Sequence, residues 1–506
     1  MSDMFLIGID IGTQGTKGVL FTAAGVCLAS AFCPSRLFKP SQGVVEEDPE
    51  RQLDSVCQVI RQCLRKAKVD PAHVAALSID GQMAGVIGMR QDGMNATPYD
   101  SWLDTRCAPY IKKMQASAGE EILLKTGCSP SFNHGPRILW WMNERKTIFR
   151  EIKSFVMPGA YAAMRLCGLD ASSAYIDKTY LHFTGFADNR NSTWDEALCR
   201  LFGLDSRKLP RIANSHDVVG EIVPSMARRC GLKAHTPVVA GCGDTAASFL
   251  SCGATMKGIC VDVAGTASVF SATTDEFRSD TFHQTMACGQ SATPGLWHPY
   301  AYINGGGMDV EWFREVLGGK VRQSKEQGID FDHLNKLAAN LPAHESIPLF
   351  IPHLGGRVCP PQPDLQGAFV GLNWSHKTAH LYKAILESVA LEYKVYRNAL
   401  DAMYPGFRPR EIRVTGGGSQ SALWNQIKAD VLQIPTVQVT HTEGAPLGSA
   451  ILAGFGVGIF NNLTQITKSW IKLGKSHKPS GNMAAHYRRR FDVYDHLLRQ
   501  LDSLEL

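Results

Sequence analysis

The chain has 506 residues, 44% of them hydrophobic and 20% charged, and a net charge of +5. That length predicts two or more domains with real hydrophobic cores, and that composition excludes disorder for most of the chain. Fourteen cysteines are scattered without a C-x-x-C pair, and with no H-E-x-x-H or paired Cys/His spacing they read as reduced thiols of a cytoplasmic protein, not as zinc ligands or disulfides.

Met1-Ser-Asp-Met-Phe-Leu enters strand-like sequence directly, without a basic-then-apolar leader. From Phe5 to Thr22, apolar runs bracket a turn rich in Gly and Thr, and the β-formers Val19, Leu20 and Phe21 predict strand–turn–strand. Gly12-Thr13-Gln14-Gly15-Thr16-Lys17-Gly18 fits neither a Walker A loop nor a dinucleotide-binding glycine pattern. A tight hairpin can instead aim backbone N–H groups and the hydroxyls of Thr13 and Thr16 at phosphate oxygens. Asp10 beside them would repel a phosphate unless a Mg²⁺ lies between. An ordinary hairpin with a turn aspartate fits this segment equally well.

Leu77 to Gly88 reads as a strand, a polar turn and a second strand, with Gln82 offering an amide that both donates and accepts. Tyr99-Asp-Ser-Trp-Leu-Asp-Thr-Arg106 places Trp102, Asp104 and Arg106 together: a stacking face with charged hydrogen-bonding partners suits a sugar, while core packing and a surface ion pair are the structural alternatives. Helix-like segments and loops then alternate from about Lys112 to Arg229 with no motif of their own.

The most informative stretch is Pro237 to Leu250. Val238 and Val239 predict a buried strand, Gly241 and Gly243 break it, and Thr245-Ala-Ala-Ser-Phe-Leu250 predicts a helix. Asp244 then stands at the carboxyl end of a parallel strand, where α/β sheets bind ligands, or simply caps the helix. Val261-Asp-Val-Ala-Gly-Thr266 echoes Ile9-Asp-Ile-Gly-Thr13 about half a chain later, which predicts two domains of like topology. Gly305, Gly306 and Gly307 precede an amphipathic helix, and a long helix is expected around Leu381 to Arg397. Gly416, Gly417 and Gly418 link a strand to a helix capped by Ser419 or Ser421. The uncharged run from Gly444 to Thr467 suits a small-residue helix packed inside protein, not a membrane span. The longest basic run, Arg488-Arg489-Arg490, reads as the solvated side of a C-terminal helix, so no nucleic-acid surface is expected.

Six stretches, Gly8-Ile-Asp-Ile-Gly-Thr13, Gly81-Gln-Met83, Trp102-Leu-Asp-Thr-Arg106, Gly241-Cys-Gly-Asp-Thr-Ala-Ala247, Ala264-Gly-Thr-Ala267 and Thr415-Gly-Gly-Gly-Ser419, resemble the motifs of the FGGY carbohydrate kinases in order, most of all the xylulokinase branch. The resemblance implies two actin-like, ribonuclease-H-like α/β ATPase domains facing each other across a catalytic cleft. Residues 1–250 would bind sugar and carry the first phosphate loop, and residues 251–506 would bind nucleotide. It further implies ATP and Mg²⁺ as cofactors, a small-molecule sugar as partner, no membrane or nucleic acid, and a possible homodimer. By position, Asp244 matches the catalytic base and Asp10 the acid near Mg²⁺. The turn Gly12, Thr13, Gln14, Thr16 and Lys17, with Gly265 and Thr266, matches the phosphate loops. Gly306, Gly416, Gly417, Gly418 and Asn425 fall on the nucleotide side, and Gln82, Met83, Trp102, Asp104 and Arg106 on the sugar side.

Two positions depart from the xylulokinase pattern. Ala84 stands where His usually follows Gln-Met, and Pro352-His-Leu-Gly-Gly-Arg-Val-Cys-Pro360 replaces Pro-Tyr-Leu-x-Gly-Glu-Arg-x-Pro. The expected activity is ATP-dependent phosphorylation of a ketose such as D-xylulose, a related pentulose or a polyol. An actin- or chaperone-like ATPase without a sugar, and a non-catalytic sugar-binding relative, are the rival classes.

Overall fold

The fold, obtained as a computed structural model, describes residues 4–317, 330–342 and 345–502, so the opening Met1–Asp3 lies outside the described residues. The first hairpin forms as the β-formers predict: β1 (Phe5–Ile11) pairs antiparallel with β2 (Gly15–Thr22), which pairs with β3 (Cys27–Pro34). Ile7, Ile9, Ile11 and Leu20 pack on Leu53, Val56 and Ile60 of α1 (Pro49–Ala67). Asp48 caps that helix, its carboxylate accepting from Glu50 N at 3.0 Å. β4 (Val74–Gly81) joins β1 in parallel, β5 (Val218–Glu221) forms the sheet edge, and β6 (Pro237–Val239) lies parallel to β4. The sheet order is β5-β6-β4-β1-β2-β3.

After α2 (Asp244–Ser251) a second sheet begins. Its strands are β7 (Ile259–Ala264), β8 (Ser268–Ala272), β9 (Ala287–Gln290), β10 (Trp297–Ile303), β11 (Glu411–Thr415), β12 (Thr436–Val439) and β13 (Leu473–His477), in the order β9-β10-β8-β7-β11-β12-β13. The two sheets share a plan. In each, a hairpin is extended by an antiparallel strand on one side and by two parallel strands on the other: β3-β2-β1-β4-β6 in the first, β10-β8-β7-β11-β12 in the second. The half-length echo of the sequence is therefore a structural duplication.

Helices of the second half include α3 (Gly307–Trp312), α4 (Thr378–Met403), α5 (Ala422–Leu432), α6 (Ala445–Gly456) and α7 (Ala484–Asp502). The expected long helix is present and runs further at both ends. Helix α6 is the small-residue helix read from the sequence, and it joins the two halves. Leu447, Ile451 and Leu452 share one core with Leu6, Val19 and Phe21 of the first sheet and with Ala247 and Leu250 of α2. Gly8 and Gly448 make that packing possible, since a Cβ at either would fall about 2 Å from a backbone oxygen, Pro446 O (1.8 Å) or Ala247 O (2.2 Å). Among the described residues no helix is long and apolar enough to cross a membrane. All fourteen cysteines are free. One expectation needs correcting: Arg490 is not solvated but donates to the carbonyls of Ile347 and Pro348 and pairs with Glu387 at 2.6 Å.

Candidate active site

Three aspartates meet at the ends of three adjacent strands of the first sheet. Asp10 and Asp80 are register partners on β1 and β4, and Gly81 bridges to Gly243, which brings Asp244 alongside. The turn that delivers Asp244 needs its glycine. Gly241 has φ +77°, and a Cβ there would sit 2.0 Å from Ile79 O. Gly243 N is held by Thr179 Oγ1 at 2.9 Å. Asp244 is not the helix cap: Gly243 holds the cap position, and the Asp244 carboxylate accepts from the Thr245 hydroxyl at 3.1 Å.

Burial, and then the charge of Asp10, pushes the Asp244 carboxyl up to about 7. Burial likewise raises Asp10 to about 6. Asp80 is raised well above the usual carboxylate range by burial and by the Asp10 charge, although Ser449 Oγ of α6 donates to it at 2.5 Å. Asp10 Oδ1 and Asp80 Oδ1 are both buried without a hydrogen-bond partner. Asp80 is the residue that sequence reasoning overlooked. Ile79-Asp80-Gly81 marks the end of a strand in the sequence but not the acids that stand beside it.

On one side of these acids runs a polar chain. Trp102 Nε1 donates to Thr13 Oγ1 (2.7 Å), whose hydroxyl points to Gln82 Oε1 (3.5 Å), and Gln82 Nε2 donates to Glu47 Oε1 (3.0 Å). The Trp102 ring is 44% exposed, so it presents a free face instead of filling the core. Asp104 and Arg106 play a different part from Trp102. Asp104 is fully buried, accepts from Arg106 and from Val45 N, and lies 3.8 Å from Arg137. Arg106 also binds Glu46 and stacks on Trp140. This pair builds the loop that presents Trp102, and it is neither a surface ion pair nor a free set of donors. His134 supports Met83 through its carbonyl at 2.8 Å.

Of the first turn, Thr16 does not reach the cleft. Its hydroxyl meets Ser55 Oγ at 2.5 Å on the α1 side of the hairpin, because β2 alternates faces. Lys17 instead donates to the carbonyls of Thr442 and Glu443, tying the hairpin to the second half. Gln14 is exposed at the turn.

The second half supplies a cleft of about 610 Å³ whose lining includes Gly265, Thr266, Gly307, Tyr382, Gly417 and Gly418. Gly306 precedes α3, and its N–H is held by Asp309 at 2.9 Å. Gly416 has φ +84°, and a Cβ would fall 2.5 Å from Ala264 O, so this glycine brings the two loops together. Ser421, not Ser419, caps α5. Asn425 lies behind the loop, its amide donating to Ser419 O at 2.8 Å. The repeated acid diverges: Asp262 sits one residue further from its Gly-Thr turn than Asp10 does. A one-residue offset along a strand turns a side chain to the other face. Asp262 accordingly points into the core, paired with Lys428 and accepting from Tyr393 OH at 2.7 Å.

Two duplicated α/β units, each a three-stranded antiparallel sheet continued by parallel strands, define an actin-like, ribonuclease-H-like ATPase fold, with acids and glycine loops at the strand ends. The model of the FGGY carbohydrate kinase N-terminal domain matches residues 5–251 and that of the C-terminal domain residues 260–457. The chain belongs to the FGGY family of carbohydrate kinases. It is 27% identical to gluconokinase of Bacillus subtilis over 506 residues, covering 99% of this chain and 96% of that one. It is 24% identical to xylulose kinase of the same organism over 510 residues, covering 99% and 98%. The crystal structure of xylulose kinase from Rhodospirillum rubrum superposes with a TM-score of 0.89 at 25% identity, covering 98% of this chain and 99% of that one.

Proposed function

We propose that this carbohydrate kinase transfers a phosphoryl group from ATP to a hydroxyl of an uncharged ketose or polyol, a pentulose such as D-xylulose foremost, with residues 1–250 holding the sugar and 251–506 the nucleotide. The observation that carries the reading is Asp244: a carboxylate free of a capping role, delivered by the Gly241–Gly243 turn beside the strand end that carries Asp80 and Gln82, and raised to about 7 by burial and by the Asp10 charge. Phosphoryl transfer asks the protein for positioning and charge stabilisation. Asp244 orients the attacking hydroxyl and accepts its proton, which a base near neutral pH does better than an ordinary aspartate. The exposed Trp102 face meets the sugar, the buried Gln82 supports Thr13 beside it, and the Gly265–Thr266 and Gly416–Gly418 loops receive the nucleotide.

Charge argues for a neutral sugar over an aldonate such as gluconate. Several cations of the first half are engaged: Arg106 with Asp104 and Glu46, Arg137 with the carbonyls of Phe132, Trp102 and Asp104, and Lys17 with two carbonyls, whereas Arg36 meets only the ring of Phe38. Asp10, and Asp244 once ionised, would repel a carboxylate. Ala84 adds room and removes a polar group there.

Mg²⁺ fits Asp10, a hard oxygen donor whose Oδ1 is buried without a partner, next to Asp80 with the same property. Mg²⁺ takes one or two carboxylates and completes its shell with phosphate and water. When bound it would neutralise charge on the transferring phosphates.

The test is ADP release with Mg²⁺-ATP across pentuloses, hexuloses, pentitols, tetritols and gluconate, with Asp244→Asn alongside. Stimulation by one neutral sugar, lost in the variant, is the expected result. Stimulation by gluconate alone overturns the neutral-substrate reading, and sugar-independent release puts the ATPase class first.

A further inference from the structure

A second cavity, of about 260 Å³, shares no lining residue with the nucleotide cleft. Lys178, Arg190, Ser215 and His216 wall it from the first half, and Gln290 and Ser291 from the β9–β10 hairpin of the second. Its lining contains no carboxylate. Among the described residues the Lys178 ammonium has no ion pair or hydrogen bond. Arg190 meets only the carbonyl and ring of Phe277. His216 Nδ1 is buried without a partner. The neighbouring acids are already occupied: Asp177 accepts from Ser215 Oγ (2.5 Å) and Thr179 N (2.9 Å), and Asp217 accepts from Asn214 N (2.9 Å). Two cations without an ion pair, on a polar pocket whose lining holds no carboxylate, suit an anion that can take charge-assisted hydrogen bonds from both.

We propose that this pocket binds a phosphoryl group, that of a small phosphate ester or free phosphate, between Lys178, Arg190 and His216. Two cations and a ring N–H match a tetrahedral dianion better than a single carboxylate. The volume equals that of roughly eight or nine waters at ~30 Å³ each, more than a phosphoryl group fills, so a short polyol chain fits beside it. A ligand there touches both halves of the molecule and stabilises their association by mass action.

The experiment uses the full-length protein and three probes, D-ribose 5-phosphate, inorganic phosphate and D-ribose, read by calorimetric titration and by thermal shift. Saturable binding of the phosphorylated probes but not of ribose is expected. Lys178→Gln and Arg190→Gln should each weaken it tenfold or more, while melting without ligand and kcat with ATP and sugar stay within twofold of the parent. Asp244→Asn should bind the probes as the parent does. Tighter binding of the ester than of inorganic phosphate assigns an ester ligand, and equal binding assigns free phosphate. Affinity unchanged in both variants, or probe binding abolished by saturating ATP, overturns the site.

Discussion

Asp244 and Asp104 show how differently two buried aspartates behave. Asp104 is buried among guanidinium groups and serves structure, whereas Asp244 is buried among other acids and holds its proton up to about neutral pH. Replacing Asp244 by Asn should lower kcat about 10²–10⁴-fold, the range of a general base, as measured by ADP release at saturating sugar. The pH dependence follows from the same residue. Activity in the parent should rise with pH to a plateau with its midpoint near 7, and the residual activity of Asp244→Asn should lack that limb. Stability should run the other way. A carboxyl at 3.8 when unfolded and about 7 when folded binds more protons in the native state between those values, so its contribution falls as pH rises through that window. At pH 8 the Asn variant should therefore melt higher than the parent, by about 1 °C for each kcal/mol relieved in a chain of this length. Asp244 was legible in the sequence because Gly-Cys-Gly-Asp-Thr marks a strand-to-helix turn. The proton-holding Asp80 was not, since its meaning depends on which strand β1 lies beside.

At the scale of the element, the glycine loop of the second half separates folding from binding. Gly417 faces open space on the cleft, and a side chain there meets nothing within 4 Å, whereas Gly416 holds a left-handed conformation against Ala264. Gly417→Val should keep the parent melting temperature and raise KM for ATP about tenfold, a loss of ~1.4 kcal/mol of binding. Gly416→Ala should lower the melting temperature, since a forced backbone conformation costs about 1–3 kcal/mol. The buried Lys428–Asp262 pair locks β7 to α5. Lys428→Met leaves Asp262 charged in the core and should cost about 3–5 kcal/mol in urea unfolding, and adding Asp262→Asn should recover most of that loss. The hairpins and the strand–Gly–helix units were readable locally from β-formers and glycines. The opposite facing of Asp10 and Asp262 follows from their one-residue offset before the Gly-Thr turns, but which face meets the core is set only by how each sheet packs.

At the scale of the whole molecule, α6 is the element that makes one body of two sheets. It follows the second sheet's β12 in the chain yet packs on β1 and β2 and on α2, and Ser449 reaches Asp80. Urea unfolding followed by circular dichroism should therefore show one cooperative transition, and a fragment of residues 1–250 should expose the apolar face that α6 covers and fail to fold; two separate transitions would contradict this shared core. The amino-acid sequence by itself determined the two-fold repeat, the α/β class, the Gly-Thr hairpins and the place of Asp244, because glycine, β-branched and acidic residues act on their own few neighbours. Only the tertiary structure decided that Thr16 and Asp262 turn away from the cleft, that Asp104 and Arg106 are scaffold while Trp102 is left free, and that Asp10, Asp80 and Asp244 share one charge problem. Those outcomes depend on sheet register and on helices hundreds of residues away, which bring together groups whose mutual burial and repulsion no local pattern encodes.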